Sequence, residues 1–172
     1  MSADSAPSPS LPPLSPADFR IFNRLAEEME YYHSRFRATW DALYASTAPG
    51  KTKLSPMQLI NMGIQFCQHL EGHHNIEEAH WFPFLARKME GFRPRHFAKD
   101  QHKEIHKGLE ALMPYLLECK RGDRELRRDE VRTIMDSFSD VLWRHLDEEV
   151  KELEAENMRK YWTKEEMKRF PF

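Results

Sequence analysis

From Phe19 onward, apolar side chains recur at alternating spacings of three and four: Phe19, Phe22, Ala26, Met29, Phe36, Trp40 and Leu43. That spacing keeps one face of a helix apolar. Ser15-Pro16 ahead of it pairs an N-cap with proline in the first turn, and Ala48-Pro49-Gly50 closes it. Ser55-Pro56 repeats the start signal, and the stripe Leu59, Phe66, Leu70, Trp81 and Phe84 predicts a second helix to about Pro83. A third is expected to start between Phe97 and Asp100 and to carry Ile105, Leu109, Leu112, Met113 and Leu116. Pro114 should end or kink it, because proline has no N–H to donate. A fourth, over residues 124–157, carries Val131, Ile134, Phe138 and Val141/Leu142.

Four amphipathic helices with short to moderate loops predict an all-α, up-down-up-down four-helix bundle over residues 15–157. The Ser/Pro-rich residues 1–14 predict a disordered tail. Residues 158–172, with a capping-box pattern at Thr163 and Glu166, predict a short helical extension. Its aromatics, Trp162, Phe170 and Phe172, look exposed and suit a docking tail.

At 172 residues the chain is long enough for one domain with a substantial core. Its net charge of −2 gives no strong pull toward nucleic acid or an anionic membrane. No apolar run approaches the roughly 18 residues of a membrane span, and no secretory signal is expected. Cys67 and Cys119 make neither a disulfide framework nor a metal knuckle, so a cytoplasmic setting is expected.

Residues 69–83, HLEGHHNIEEAHWFP, change the picture. They set four histidines and three glutamates among bulky apolar side chains. The other seams carry polar residues too: His33 in the first, His102 and His106 in the third, His145 and Glu149 in the fourth. Each pair is four residues apart, so its members share a helix face. At about 100° per residue, Glu77 falls near the centre of the second helix's apolar side with His73 on its flank. His73/Glu77 therefore points inward better than His74/Glu78. His69, one turn before His73, is a rival ligand; His74 and His80 read as surrounding or surface residues.

Taken singly, each has an ordinary reading: a hydrogen-bonded core histidine, or a solvated His/Glu pair. Recurrence on all four seams changes that. Several unpaired imidazoles and carboxylates would destabilise a core heavily, and a metal ion supplies the positive charge they need. Nitrogen and oxygen donors without a cysteine suit iron or manganese better than zinc.

These residues carry a resemblance. His33, HHNIEEAHWFP, HKEIH (residues 102–106) and HLDEE (residues 145–149) resemble the hemerythrin-like (HHE cation-binding) family over about residues 17–155. The resemblance implies two iron ions, oxo- or hydroxo-bridged. His33, His73, His102, His106 and His145 would be terminal ligands, Glu77 and Glu149 bridges, and one position open to dioxygen. Two features depart from the family's oxygen carriers: Val150 stands where they place an aspartate, and the loop around residues 45–54 is longer. The expected function is a di-iron protein that binds dioxygen or nitric oxide, or senses iron or redox state. The alternative is a di-iron oxidoreductase acting on peroxide, ferrous iron or a small organic molecule. An apolar cavity reaching the metals would favour the latter.

Overall fold

Both serine start signals act as caps. The Ser15 hydroxyl accepts from the Asp18 N–H at 3.1 Å, and Ser55 forms a reciprocal capping box with Gln58. In the computed structural model, which describes residues 11–50, 54–93 and 97–170, they open α1 (Pro16–Ser46) and α2 (Pro56–Ile76). A π-helical turn (Glu77–Trp81) leads from α2 into α3 (Phe82–Leu85), and a 3-10 turn (Glu90–Phe92) follows. The chain then forms α4 (Phe97–Arg121), α5 (Arg128–Leu153), α6 (Ala155–Met158) and α7 (Lys164–Lys168). No strand occurs among the described residues.

The four long helices close a ring: α1 packs on α2 and α5, and α4 packs on the same two. Asn23 meets Ala155, His33 meets Leu146 and Tyr44 meets Asp136, so α1 and α5 run in opposite directions. The core divides into two apolar clusters. One gathers Phe36, Trp40, Phe66, Leu70, Ile105, Phe138 and Leu146. The other gathers Phe22, Met29, Phe82, Ala98, Leu153, Trp162 and Phe170. Every long helix contributes to both, α2 through its continuation into α3. Each carries its buried histidines and glutamates at the crossing.

Several local expectations change. The second helix does not run unbroken to Pro83, since the π turn interrupts it after Ile76. Pro114 neither ends nor splits α4. Pro114 and Glu110 are both exposed, so water can satisfy the carbonyl that proline leaves unbonded. The fourth helix stops at Leu153: Glu154 is extended, and Asn23 accepts from the Ala155 N–H at 3.1 Å. Phe19 is exposed, although it continues the stripe.

Residues at both ends of the described chain add contacts to the bundle. In the leader, Leu14 packs on the second cluster and Arg159 donates to the Pro12 carbonyl; residues 1–10 lie outside the described residues. Trp162 and Phe170 are buried, not exposed. Trp162 stacks on Phe84 with ring centroids 4.6 Å apart, and Phe170 meets the same ring edge-on at 4.7 Å. Burying these rings extends the core beyond the four long helices, which removes the basis for a docking tail at these two residues. Phe172 lies outside the described residues.

Three helical glycines differ in what surrounds them. A Cβ on Gly108 would lie 2.2 Å from the Phe138 ring, and one on Gly63 would lie 2.5 Å from a Leu116 methyl. A Cβ on Gly72 would meet nothing within 4 Å. We therefore expect opposite signs on replacement by alanine. Gly108→Ala should destabilise by about 1–3 kcal/mol through overpacking, despite its gain in helix propensity. Gly72→Ala should stabilise by up to about 1 kcal/mol. Equilibrium denaturation of both variants checks this; a Gly108→Ala protein as stable as the parent would contradict so close an approach of α4 and α5.

Candidate metal centre

The buried seam of α2 runs Leu70, His74, Glu77 and then Phe82 and Leu85. The step from Glu77 to Phe82 is five residues, where an α-helix would bring Trp81 inward. The π turn supplies the extra residue, with the Phe82 N–H donating to the Glu77 carbonyl. It holds Glu77 in the core and still returns Phe82 to the second cluster.

Two groups of donors meet at the boundary between the clusters. His33, His73, Glu77 and Glu149 form one, and His74, Glu77, His102 and His145 the other; within each group the donor atoms lie within 4.8 Å of one another. Glu77 belongs to both. Its Oε1 is 2.7 Å from His73 Nε2, and its Oε2 is 3.4 Å from His102 Nε2. Glu149 also spans them, with Oε2 3.3 Å from His33 Nε2 and 3.7 Å from His145 Nε2. All seven residues are buried except His73, whose side chain is 10% exposed.

Hydrogen bonds behind the rings fix their orientation. His33 Nδ1 lies 3.1 Å from the Leu146 carbonyl, His145 Nδ1 3.1 Å from Gln101 Oε1, and His102 Nδ1 2.8 Å from Glu78 Oε1. Gln101 donates its amide N–H to Glu148 at 2.6 Å, which assigns its oxygen to His145. All three partners are acceptors, so each Nδ1 carries a hydrogen, and in its neutral form each ring turns an Nε2 lone pair inward. The Nε2 atoms of His102 and His145 are 3.1 Å apart, lone pair against lone pair. Both oxygens of Glu77 and of Glu149, and both nitrogens of His74, are buried without a hydrogen bond of acceptable geometry. Converging lone pairs without a proton between them repel; one or two cations would turn the same arrangement into coordination. Imidazoles held through Nδ1–H by a carbonyl or carboxylate are the usual form of metal-ligating histidine.

Burial dominates the protonation of the site. It pushes the Glu77 carboxyl up to about 8, reinforced by the charge of Glu149. Burial also acts to raise Glu149, but the His33 contact and the surrounding imidazoles outweigh it and hold that carboxyl at about 2. Without a cation, the pair thus keeps one proton near neutral pH. Burial lowers His145 to about 3, lowers His73, and holds His74 well below its ordinary value. These three imidazoles are thereby biased toward the neutral form, the one that binds metals.

Of the residues singled out from the sequence, His33, His73, Glu77, His102, His145 and Glu149 come together. His106 stays outside both groups, half-buried, with its ring 5.5 Å from that of His74. His74 is not a surface residue: it is fully buried and stacks on His102 at 3.8 Å. Glu77 stands about 40° from His73 and about 60° from His74 around the helix, so both flank it. The apolar direction that favoured His73 included Trp81 and Phe84, which lie at or beyond the π turn and follow another phase. A histidine doublet three and four residues before a buried glutamate was the available signal. His69 and His80 are exposed, and His96 lies outside the described residues. Gln101 and Glu148, which orient His145, carried no sequence signal of their own.

A family model described as the hemerythrin HHE cation binding domain matches residues 24–156. The chain is also similar to the dimeric xanthone biosynthesis cluster protein R11 of Cryptosporiopsis sp. (strain 8999). The two are 26% identical over 148 residues, covering 83% of this chain and 56% of that protein. The chain thus spans little more than half the length of this relative. No solved structure matches.

Two outcomes follow from the site's electrostatics. Glu78→Gln removes the charged acceptor behind His102 at a side chain that is 40% exposed. Metal affinity, measured by chelator competition, should fall by roughly 10–100-fold with the fold intact; unchanged affinity would deny Glu78 this role. The second concerns pH in the metal-free protein. His145 and His74 hold fewer protons folded than unfolded below the ordinary imidazole value of 6.5, so stability should rise with pH up to that point. Glu77 works the other way, keeping its proton in the fold from the ordinary 4.5 up to about 8, so its contribution is lost as pH rises through that window. Melting temperatures of metal-free protein should peak near pH 6.5, then fall toward pH 8, and metal should abolish the alkaline fall. A metal-free profile flat across that window would rule out a protonated Glu77.

Proposed function

This chain belongs to the hemerythrin HHE cation-binding family, and from that premise we propose that it is a non-haem di-iron protein binding dioxygen or nitric oxide, or sensing iron or redox state. The observation that supports this reading is the pair of four-donor groups sharing Glu77 and spanned by Glu149. In it, His33 and His73 hold one ion, and His74, His102 and His145 the other. Glu77 and Glu149 would serve both, their two negative charges offsetting part of the charge of the cations. The donors are nitrogen and oxygen alone, a set suited to iron or manganese. Burial pushes the Cys67 thiol up to about 12, so it offers no competing thiolate.

Such a centre supplies reversible redox chemistry and a site for small oxygen- or nitrogen-donor ligands. The chain's own part is orientation and exclusion of water. The Leu146 carbonyl, Gln101 and Glu78 aim the rings. Phe82 stacks on His102 at 5.1 Å, and Phe36 lies 5.2 Å from the His73 ring. No helix among the described residues is long and apolar enough to cross a membrane. Two free, buried cysteines suit the reducing cytoplasm that we include in this reading.

A second reading, a di-iron oxidoreductase, is favoured by one feature. A groove of about 1110 Å³ between α1 and α2 reaches His73 and Glu77. Similarity to a protein named for a xanthone biosynthesis cluster is in keeping with work on small organic molecules.

Metal analysis with an optical spectrum of protein purified in air tests the main reading. The expected result is about two irons per chain with oxo-bridge absorption. One zinc per chain without that absorption would overturn it. Glu77→Ala and His74→Ala should each lose metal and stability, because their partners would remain buried and unpaired. His106→Ala should cost less of both.

A further inference from the structure

The α1–α2 groove holds an unusual concentration of exposed apolar surface. Tyr31 at 57%, Tyr32 at 40% and Ile76 at 57% exposed all line it. Further in, Phe36, Phe66 and Trp81 continue an aromatic wall. The Tyr32 ring lies 5.5 Å from that of His73. At the inner end stands Glu77, 1% exposed, neither of whose oxygens has a hydrogen bond of acceptable geometry. The volume, about 1110 Å³, far exceeds what a diatomic gas needs and lies just above the usual range for organic ligands.

Gly72 is a helical glycine in the lining of this groove. Glycine inside a helix costs about 1 kcal/mol relative to alanine. Gly63 and Gly108 permit close packing against Leu116 and Phe138, whereas a Cβ on Gly72 would meet nothing within 4 Å. It lines the groove beside His73, where any larger side chain would project into empty space.

We propose that this groove binds a planar aromatic alcohol of two or three fused rings, its hydroxyl directed inward to the His73–Glu77 end. Aromatic walls favour offset and edge-to-face contact with flat rings. The His73–Glu77 end is the buried polar end of the groove, so a hydroxyl directed there leaves the flat rings against the aromatic walls. Only this polar end rests on reading His73 and Glu77 as part of a metal centre; the aromatic walls and Gly72 do not.

Calorimetric titration of the metal-loaded full chain with 2-naphthol, and with its saturated counterpart 2-decalol, tests this. We expect 2-naphthol to bind one-to-one, at least tenfold tighter than 2-decalol, and to change the metal's absorption spectrum. Gly72→Trp should weaken that binding at least tenfold while metal content and helical circular dichroism stay at parental values. Should that variant not fold, Ile76→Trp, at an exposed groove position, makes the same measurement. Absence of naphthol binding to protein shown to hold its metal overturns the proposal and leaves the metal centre standing. Equal affinity for the two alcohols, or equal affinity in parent and blocked variant, also overturns it. An unchanged metal spectrum in the naphthol complex overturns the orientation. Naphthol binding that Gly72→Trp blocks, in protein that takes up no metal, upholds the groove and removes the centre.

Discussion

Two carboxylates and five imidazoles turned on one another in a dry interior are the constraint that the rest of the bundle serves. Glu77 and Glu149 have lost water without gaining hydrogen bonds of acceptable geometry, and such a loss costs several kcal/mol per ion when nothing compensates. In a metal-free chain the site relieves part of this by keeping a proton on Glu77. Cations held by the two donor groups would relieve more of it, because inward lone pairs would then have partners. Metal binding and folding are thereby coupled: the groups that would hold the ion are those that weaken the fold without it.

The surrounding architecture makes that arrangement tolerable. An apolar cluster on either side confines the polar layer to a single level, where each seam changes character for about one turn. The π turn in α2 then resolves a conflict of phase. Glu77 must face the centre while Phe82 must face the second cluster, and they cannot both do so at α-helical pitch. One inserted residue lets both point inward, and it exposes His80 in doing so. Behind the rings, a backbone carbonyl, an amide and a carboxylate each hold one Nδ1–H. These bonds restrict ring rotation before any ion arrives, so little orientational entropy remains to be lost on binding.

The centre is not equally accessible from all sides. His102 and His145 are closed in by Phe82, Gln101 and the packing of α4 on α5. His73 is the member that meets solvent, and it does so where α1 and α2 part around Gly72. A ligand exchanging at the centre therefore meets Tyr32, Phe36 and Trp81 first. Aromatic walls leading to a polar, metal-suited end link the diatomic-binding and oxidoreductase readings, since one opening could admit a gas or place an organic molecule beside it.

Much of this was legible in the residues. Caps at Ser15 and Ser55, seams of period 3.6 and polar members on each seam are properties of short stretches. Local spacing fixed the helices, and the unfavourable burial of charge implied a cation. What local spacing could not decide was phase across an interruption and the identity of distant neighbours. Whether His74 or His106 joins the cluster depends on how α2 is rotated against α4, and that rotation is set beyond the π turn by the burial of Phe82 and Leu85. Gln101 reaches His145, and Glu78 reaches His102, only because separate helices pack at that level. The groove is a gap between two helices, and Trp162 and Phe170 look exposed until Phe84 covers them. The sequence by itself determined the helices, their buried faces and the kinds of donor they carry, because those follow from periodicity and side-chain chemistry. The tertiary structure decided which donors converge, what steadies them and where the site opens, because each of these is a distance between residues far apart in the chain.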